Sequence, residues 1–190
     1  MRCKKIENDF SKIVDEVLVD EETLEKRVNE LGRDITKCYE DVEEPVLLVG
    51  ILRGAAIFMS NLAVNINKPV LIDFMAVSSY GQSSESSGVV RIMKDLEETI
   101  EGKHVLIVED IIDTGLTLSY IRQNMIDRGA KSVRIATLLD KPERRKVEVP
   151  VDFVGFRIPD EFVIGYGLDY AQNYRNLPYI ASLRREVYEK

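Results

Sequence analysis

An α/β fold built on a mainly parallel, twisted sheet flanked by helices is the architecture this sequence predicts. Three observations lead there. Residues 46–52 (VLLVGIL) and 105–108 (VLIV) are continuous apolar runs, the pattern of strands buried on both faces of a parallel sheet. Such runs alternate with stretches of helical periodicity, and that alternation implies parallel, crossover-connected strands. The second run empties into Glu109-Asp110, then Asp113-Thr114-Gly115-Leu116-Thr117, before a further helix. An acidic turn bearing hydroxyls and a glycine at a helix start is a natural seat for a phosphorylated ligand. The glycine lets the backbone approach a phosphate, and Thr114 and Thr117 add donors. The carboxylates would repel phosphate, so they suit ribose hydroxyls, a proton or a magnesium ion.

In chain order, a short apolar run at 17–19 is an edge-strand candidate. Asp20 caps a helix whose first turn carries Glu21 and Glu22, favourable at the positive end of the helix dipole. Leu24, Val28, Leu31 and Ile35 form one apolar stripe along it. The strand at 46–52 ends in Arg53-Gly54, and a helix is predicted from near Ala55 toward Asn65. A strand at about 70–78 follows. Residues 79–88 (SYGQSSESSG) are serine-rich and lack apolar periodicity, which makes them either a functional lid or a disordered connection. Residues 89–93 read as a returning strand. After the acidic motif, a helix from about Leu116 ends at Arg128-Gly129, with glycine as the natural stop. A strand at 133–139 is broken by Lys141-Pro142, and shorter strands are predicted at 151–156, 162–165 and 179–180. Ligands of doubly wound sheets sit beyond the carboxyl ends of the strands, where Arg53-Gly54, the 109–117 turn and Lys141 all fall.

Composition narrows the function classes. A chain of 190 residues supports one well-cored domain. The net charge of −7 argues against a general nucleic-acid binder, which needs surplus Lys and Arg. Cys3 and Cys38 have no CxxC spacing, so they read as reduced thiols rather than a zinc site or disulfide framework. No apolar run approaches the ~20 residues of a membrane span, and MRCKKIENDF lacks a signal-peptide core. A cytoplasmic location is the expectation. His104 has no partner in sequence, and Arg144-Arg145-Lys146 reads as a solvated face.

The string VLIVED also opens receiver domains of response regulators, but here it lies past mid-chain and continues as IIDTGLTL. The longer string, VEDIIDTGLTL, closely resembles the phosphoribosyl pyrophosphate motif of type I phosphoribosyltransferases. Leu52-Arg53-Gly54, Ser79-Tyr80, residues 139–141, DFVGF at 152–156, GYGLDY at 165–170 and Arg175 match in order. Together they resemble the hypoxanthine(-guanine) phosphoribosyltransferase family from about residue 46 to 180. The resemblance implies a type I phosphoribosyltransferase-like fold as one domain over 1–190. Its core would span about 20–150, with a small hood from N-terminal residues and about 151–190, and a flexible lid at 79–88.

It further implies transfer of a phosphoribosyl group from phosphoribosyl pyrophosphate to a 6-oxopurine, with Mg²⁺ as cofactor and a homodimer or homotetramer as the assembly. No nucleic-acid or membrane partner is expected. By resemblance, Glu109 and Asp110 would hold the ribose hydroxyls directly or through Mg²⁺. Asp113 would accept the purine N7 proton, with a helix N-cap as its plainer role. Thr114, Gly115, Leu116 and Thr117 would wrap the 5′-phosphate; Leu116 stands where family members carry lysine, leaving its backbone N–H. Arg53 and Gly54 would form the pyrophosphate loop, with a cis peptide expected at Leu52–Arg53, and Arg175 would be a second pyrophosphate cation. Asp169 would hold Mg²⁺. Lys141, a donor-only ammonium, would select the O6 acceptor of hypoxanthine or guanine over adenine. Phe162 would stack on the base, and main-chain groups of Val163 would read its edge. Ser79 and Tyr80 would begin the lid. Two other readings are a xanthine-preferring relative and a regulator that senses phosphoribosyl pyrophosphate while binding RNA or DNA; the acidic charge and Lys141, Phe162 and Asp169 favour the enzyme.

Overall fold

Strands too apolar to face water need cover on both sides, and the chain supplies it. In the computed structural model, which describes residues 10–79 and 90–188, β2 (Val46–Leu52) and β5 (His104–Ile112) lie at the centre of a six-stranded sheet. β1 (Val14–Val19) precedes them in the chain; β3 (Val70–Ser79), β4 (Val90–Lys94), β6 (Ser132–Asp140) and β7 (Phe153–Arg157) complete the large sheet. The order is β4-β3-β2-β5-β6-β7, parallel throughout except for β4 against β3. Alternation along β2 and β5 sorts their side chains. Val46, Leu48, Leu106 and Val108 join one core with α1 (Glu21–Cys38) and α2 (Ala55–Val64). Leu47, Val49, Ile51, Val105 and Ile107 join the other, under α3 (Leu116–Asp127). The doubly wound reading thus holds.

The amphipathic stripe of α1 is buried at Leu24, Val28, Leu31 and Ile35, and Asp20 caps the helix by accepting from Thr23 N at 2.8 Å. Arg27 fastens α1 to β7 through Gly155 O (3.0 Å) and Val154 O (2.7 Å). Gly129 stops the helix after α3 with φ 81°, as its position suggested. A separate three-stranded antiparallel sheet, order β1-β9-β8, forms the hood from β1, β8 (Val163–Ile164) and β9 (Ile180–Leu183). The edge strand expected at 17–19 therefore belongs to the hood.

Two boundaries differ from expectation. The large sheet takes in β7, past the core limit expected at about residue 150. β5 continues to Ile112 because Glu109, Ile111 and Ile112 still pair with β6, so Glu109 and Asp110 lie within the strand and not in the turn after it. Cys3, Tyr80 to Gly88 and Val89 lie outside the described residues. Among those described, no helix is long and apolar enough to cross a membrane.

Gly32 lies against the end of α2: a Cβ there would strike the backbone of Asn65, the residue that caps that helix. Alanine has the better helix propensity by about 1 kcal/mol, but overpacking against backbone costs about 1–3 kcal/mol. Gly32→Ala should therefore lower the melting temperature by a few degrees; a rise measured by calorimetry would show that this contact relaxes freely.

Candidate active site

The strand order reverses between β2 and β5: from β2 the chain moves outward to β3, and from β5 it moves the other way to β6. The crevice that opens at such a switch point, beyond the strand ends, is the natural binding site of a doubly wound sheet. Here it is a cleft of about 330 Å³. Arg53 and Gly54 form one wall, just past β2, and the Leu52–Arg53 peptide is cis as the resemblance implied. Glu109, Asp110 and Asp113 come from β5 and the residue after it, and Thr114, Gly115 and Thr117 from the turn into α3. The hood contributes Asp169 and Arg175. Residues from three distant segments thus meet in one cleft. A larger cleft, about 530 Å³, lies between α1, α2 and residues 176–178, but its charged groups are only Glu21 and Glu25.

The close approach of β2 and β5 depends on Gly54. A Cβ at that position would fall on the Asp110 carboxylate. The turn before α3 depends on Gly115, the N-cap residue, at φ 82°. Asp113 is therefore not the helix cap, and that plainer role is withdrawn.

The two acidic groups on β5 are held under electrostatic stress. Burial, followed by the neighbouring Asp110, pushes the Glu109 carboxyl well above its ordinary value. Its Oε2 is shut from water with no hydrogen-bond partner. Burial also raises Asp110, to about 6, against the lowering effects of its hydrogen bond from Ile111 N (2.9 Å) and of Arg175. Such a pair suits a ligand that brings hydroxyls or a cation. Among the described residues, no three His, Cys, Asp or Glu side chains form a ready-made metal cage. Glu109, Asp110 and Asp169 do not by themselves surround an ion.

The cations are tied together. Arg175 contacts Asp169 at 2.5 Å and donates to Gly167 O at 2.6 Å. Gln172 Oε1 accepts from Arg53 (2.8 Å) and more weakly from Arg175 (3.4 Å), and Gln172 N donates to Asp169 Oδ2 (2.8 Å). Gln172, at φ 68°, was not singled out in the sequence, and nothing local marks it.

Of the expected solvated face, Arg144 and Lys146 are exposed, while Arg145 is not. Arg144 Nε lies 2.8 Å from Asp113 Oδ1, without hydrogen-bond geometry, and Arg144 Nη1 lies 3.4 Å from Asp160. Arg145 pairs with Asp140, both largely buried. Lys146 N and Val147 N donate to Thr114 O, pinning this loop on the phosphate-type turn. Lys141 N donates to Ile112 O, which sets its residue beside the end of β5. Its ammonium is buried, donating to Glu161 O with Asp160 3.7 Å away, and it does not line the cleft. Phe162 and Val163 stand farther along the hood, Val163 buried and Phe162 stacked against Tyr188. Leu116 is absent from the cleft wall, and its N–H lies 3.5 Å from Thr114 Oγ1. Ser79 ends β3. His104, assigned no role, meets Ser132 Oγ at 2.7 Å away from the cleft.

Comparison with known proteins accords with this geometry. The sequence profile of the phosphoribosyl transferase domain matches residues 15–171. The chain is 53% identical over 176 residues to a hypoxanthine-guanine phosphoribosyltransferase of Bacillus subtilis, covering 93% of this chain and 97% of that one. It is 53% identical over 168 residues to a hypoxanthine phosphoribosyltransferase of Escherichia coli, covering 88% and 94%. The crystal structure of a Staphylococcus aureus hypoxanthine phosphoribosyltransferase superposes with a TM-score of 0.93 at 48% identity, covering 98% of this chain and all of that one.

The raised Asp110 has a measurable sign. A carboxyl whose pKa rises from about 4 in the unfolded chain to about 6 in the fold keeps its proton in the native state alone between those values. Its stabilising effect is full below pH 4 and lost as pH rises through about 6. Asp110→Asn keeps an acceptor for Ile111 N and should stabilise the ligand-free protein at pH 7.5 by on the order of 2–3 kcal/mol, with less gain at pH 4.5. Urea unfolding at the two pH values checks this; no gain at pH 7.5 contradicts it.

Proposed function

The chain belongs to the phosphoribosyl transferase family, and we propose that it is a purine-salvage enzyme transferring the 5-phosphoribosyl group from phosphoribosyl pyrophosphate to hypoxanthine or guanine. The products are IMP or GMP and pyrophosphate. The observation that carries this reading is the charge layout of the switch-point cleft. Unpaired, buried carboxylate on β5 faces a cation pair, Arg53 and Arg175, bridged by Gln172.

Opening the bond from C1′ to pyrophosphate leaves positive charge on the sugar and negative charge on the departing oxygen. Preorganised groups of opposite sign on the two sides stabilise both. Glu109 and Asp110 take the ribose hydroxyls, and Arg53 and Arg175 receive the pyrophosphate. The backbone and hydroxyls from Thr114 to Thr117 hold the 5′-phosphate. As N9 of the base bonds to C1′, the N7 proton passes to Asp113, a cleft carboxylate not committed to the sugar. Lys141 donates to O6, Phe162 stacks on the ring and Val163 presents main-chain groups to its edge. Lys141 fits that part because its ammonium is donor-only, and a base with an amine at position 6 offers it no acceptor.

The orphaned Oε2 of Glu109 beside Asp110, with Asp169 on the pyrophosphate side, is an oxygen donor set suited to Mg²⁺. Bound there, Mg²⁺ supplies charge neutralisation for the polyphosphate. The lack of a three-carboxylate cage among the described residues agrees with an ion that arrives with substrate oxygens. A homodimer or homotetramer is supported by the first half of β3. Among the described residues it has no partner strand on its outer side, since β4 pairs only from Ala76 onward, and it exposes Leu71 (42%) and Ile72 (53%). The free Cys38 is in keeping with a reducing cytoplasmic setting.

Asp113→Asn should retain the melting temperature and lose about 10²–10⁴-fold in kcat; wild-type turnover would remove Asp113 from the proton transfer. Steady-state assays with hypoxanthine, guanine, xanthine and adenine, with and without Mg²⁺, test the whole reading. Hypoxanthine and guanine should be converted only with the metal, and adenine negligibly. Efficient adenylate synthesis would overturn the assignment.

A further inference from the structure

Phe162 begins the hood segment leading into the two-residue strand β8, and 38% of its surface is exposed. Its backbone is tied to β9 where Leu183 N donates to Phe162 O at 2.8 Å, but that bond does not fix the orientation of the ring. The ring is held instead by two other aromatic residues. Tyr188, in the terminal turn α4 (Arg185–Tyr188), stacks on it with ring centroids 5.1 Å apart and planes at 26°. Tyr170 meets it at 88° with centroids 5.7 Å apart.

A four-residue helix has no stability of its own, so α4 must be fixed from outside. Tyr170 Oη donates to Val187 O at 2.8 Å, which couples the two rings that flank Phe162. Arg184 N and Nε donate to Ile13 O and Val14 O, both at 2.9 Å, anchoring the approach to α4 on the far end of the chain. Val187 and Tyr188 then pack on a small core of Ile164, Leu177 and Leu183 that is separate from the two main ones.

We infer that Tyr188 is a positioning residue for the purine: its ring holds the plane of Phe162 so that the exposed part of Phe162 is presented to the base already ordered. The inference rests on Phe162 being the base platform. A platform fixed before binding spares the base the cost of ordering it. The benefit is confined to base affinity, because the phosphate and pyrophosphate groups bind to other elements. Aromatic pairing of this size corresponds to about a two- to tenfold change in affinity.

The test uses the full chain with Tyr188→Ala, Tyr188→Leu, Tyr188→Phe and Phe162→Leu, measuring KM for hypoxanthine and for phosphoribosyl pyrophosphate separately. Tyr188→Ala should raise KM for hypoxanthine about two- to tenfold, leaving the other KM and the saturated kcat unchanged. Tyr188→Leu, which keeps an apolar contact with the small core, should do the same, and Tyr188→Phe should restore the wild-type value. An unchanged or lowered hypoxanthine KM in the Ala and Leu variants overturns the inference, the lowered value meaning that Tyr188 covers the surface the base needs. A rise in both KM values also overturns it, as general loosening of the hood. If Phe162→Leu leaves the hypoxanthine KM unchanged, the platform assignment itself fails. If Phe162→Leu raises it and the Tyr188 variants do not, the stack alone is rejected.

Discussion

Glu109 and Asp110 sit side by side near the end of a strand that is otherwise hydrocarbon, and the site is arranged around their cost. Burial makes each reluctant to ionise, with Asp110 adding to the effect at Glu109 and Asp169 adding to it at Asp110. A protein optimised for stability alone would replace them; here the stress is stored where a ligand can relieve it. Other features follow from it. Gly54 is bare because the Asp110 carboxylate occupies the space a side chain would take. Arg175 approaches from the hood and partly offsets the negative charge, and Asp169 answers Arg175.

The sheet explains why these groups meet at all. Reversal of strand order between β2 and β5 opens the crevice, and the parallel register brings both strands to the same edge. The hood then reaches across from the far side. It packs on the core through Val163, Tyr166, Leu168 and Ile180, and a polar chain runs beside that contact. Asp113 contacts Arg144, Arg144 contacts Asp160, and Asp160 stands beside the Lys141 ammonium. A displacement of the hood would thus be felt both at Asp113, the candidate proton acceptor, and at Lys141, the candidate base selector.

How much of this could be read from residues alone depended on the range of the interaction. α1 was legible because its cap and apolar stripe are local, and β2 because an unbroken apolar run has one comfortable environment. The motif from Val105 onward announced the glycine-bearing turn into α3, and the place of Arg53 followed from its strand end. Glu109 and Asp110 looked like turn residues because charge commonly ends a strand; pairing with β6 keeps them inside it. Arg144 is exposed as it looked, but its ion pairs were hidden because Asp113 and Asp160 are brought to it by loops on two different elements. Gln172 carried no signal, since its role depends on a positive φ and on two arginines that meet only in the fold. The stack of Tyr188 on Phe162 was invisible for the same reason.

The hood sheet joins β1 directly to β9, with Glu16 N bonded to Ser182 Oγ across 166 positions. A ribosome makes the first of these strands long before the second. The large sheet can close once residue 157 has emerged, whereas β1 must wait for residues 180–183. During that interval it is an unpaired edge, and Asp15 and Glu16, both exposed, give it the charge that discourages pairing with a neighbouring chain. A nascent chain therefore holds a finished turn at residues 113–117 under an unfinished roof. Its capacity for chemistry arrives late in translation, with the segment that supplies β9 and Tyr188.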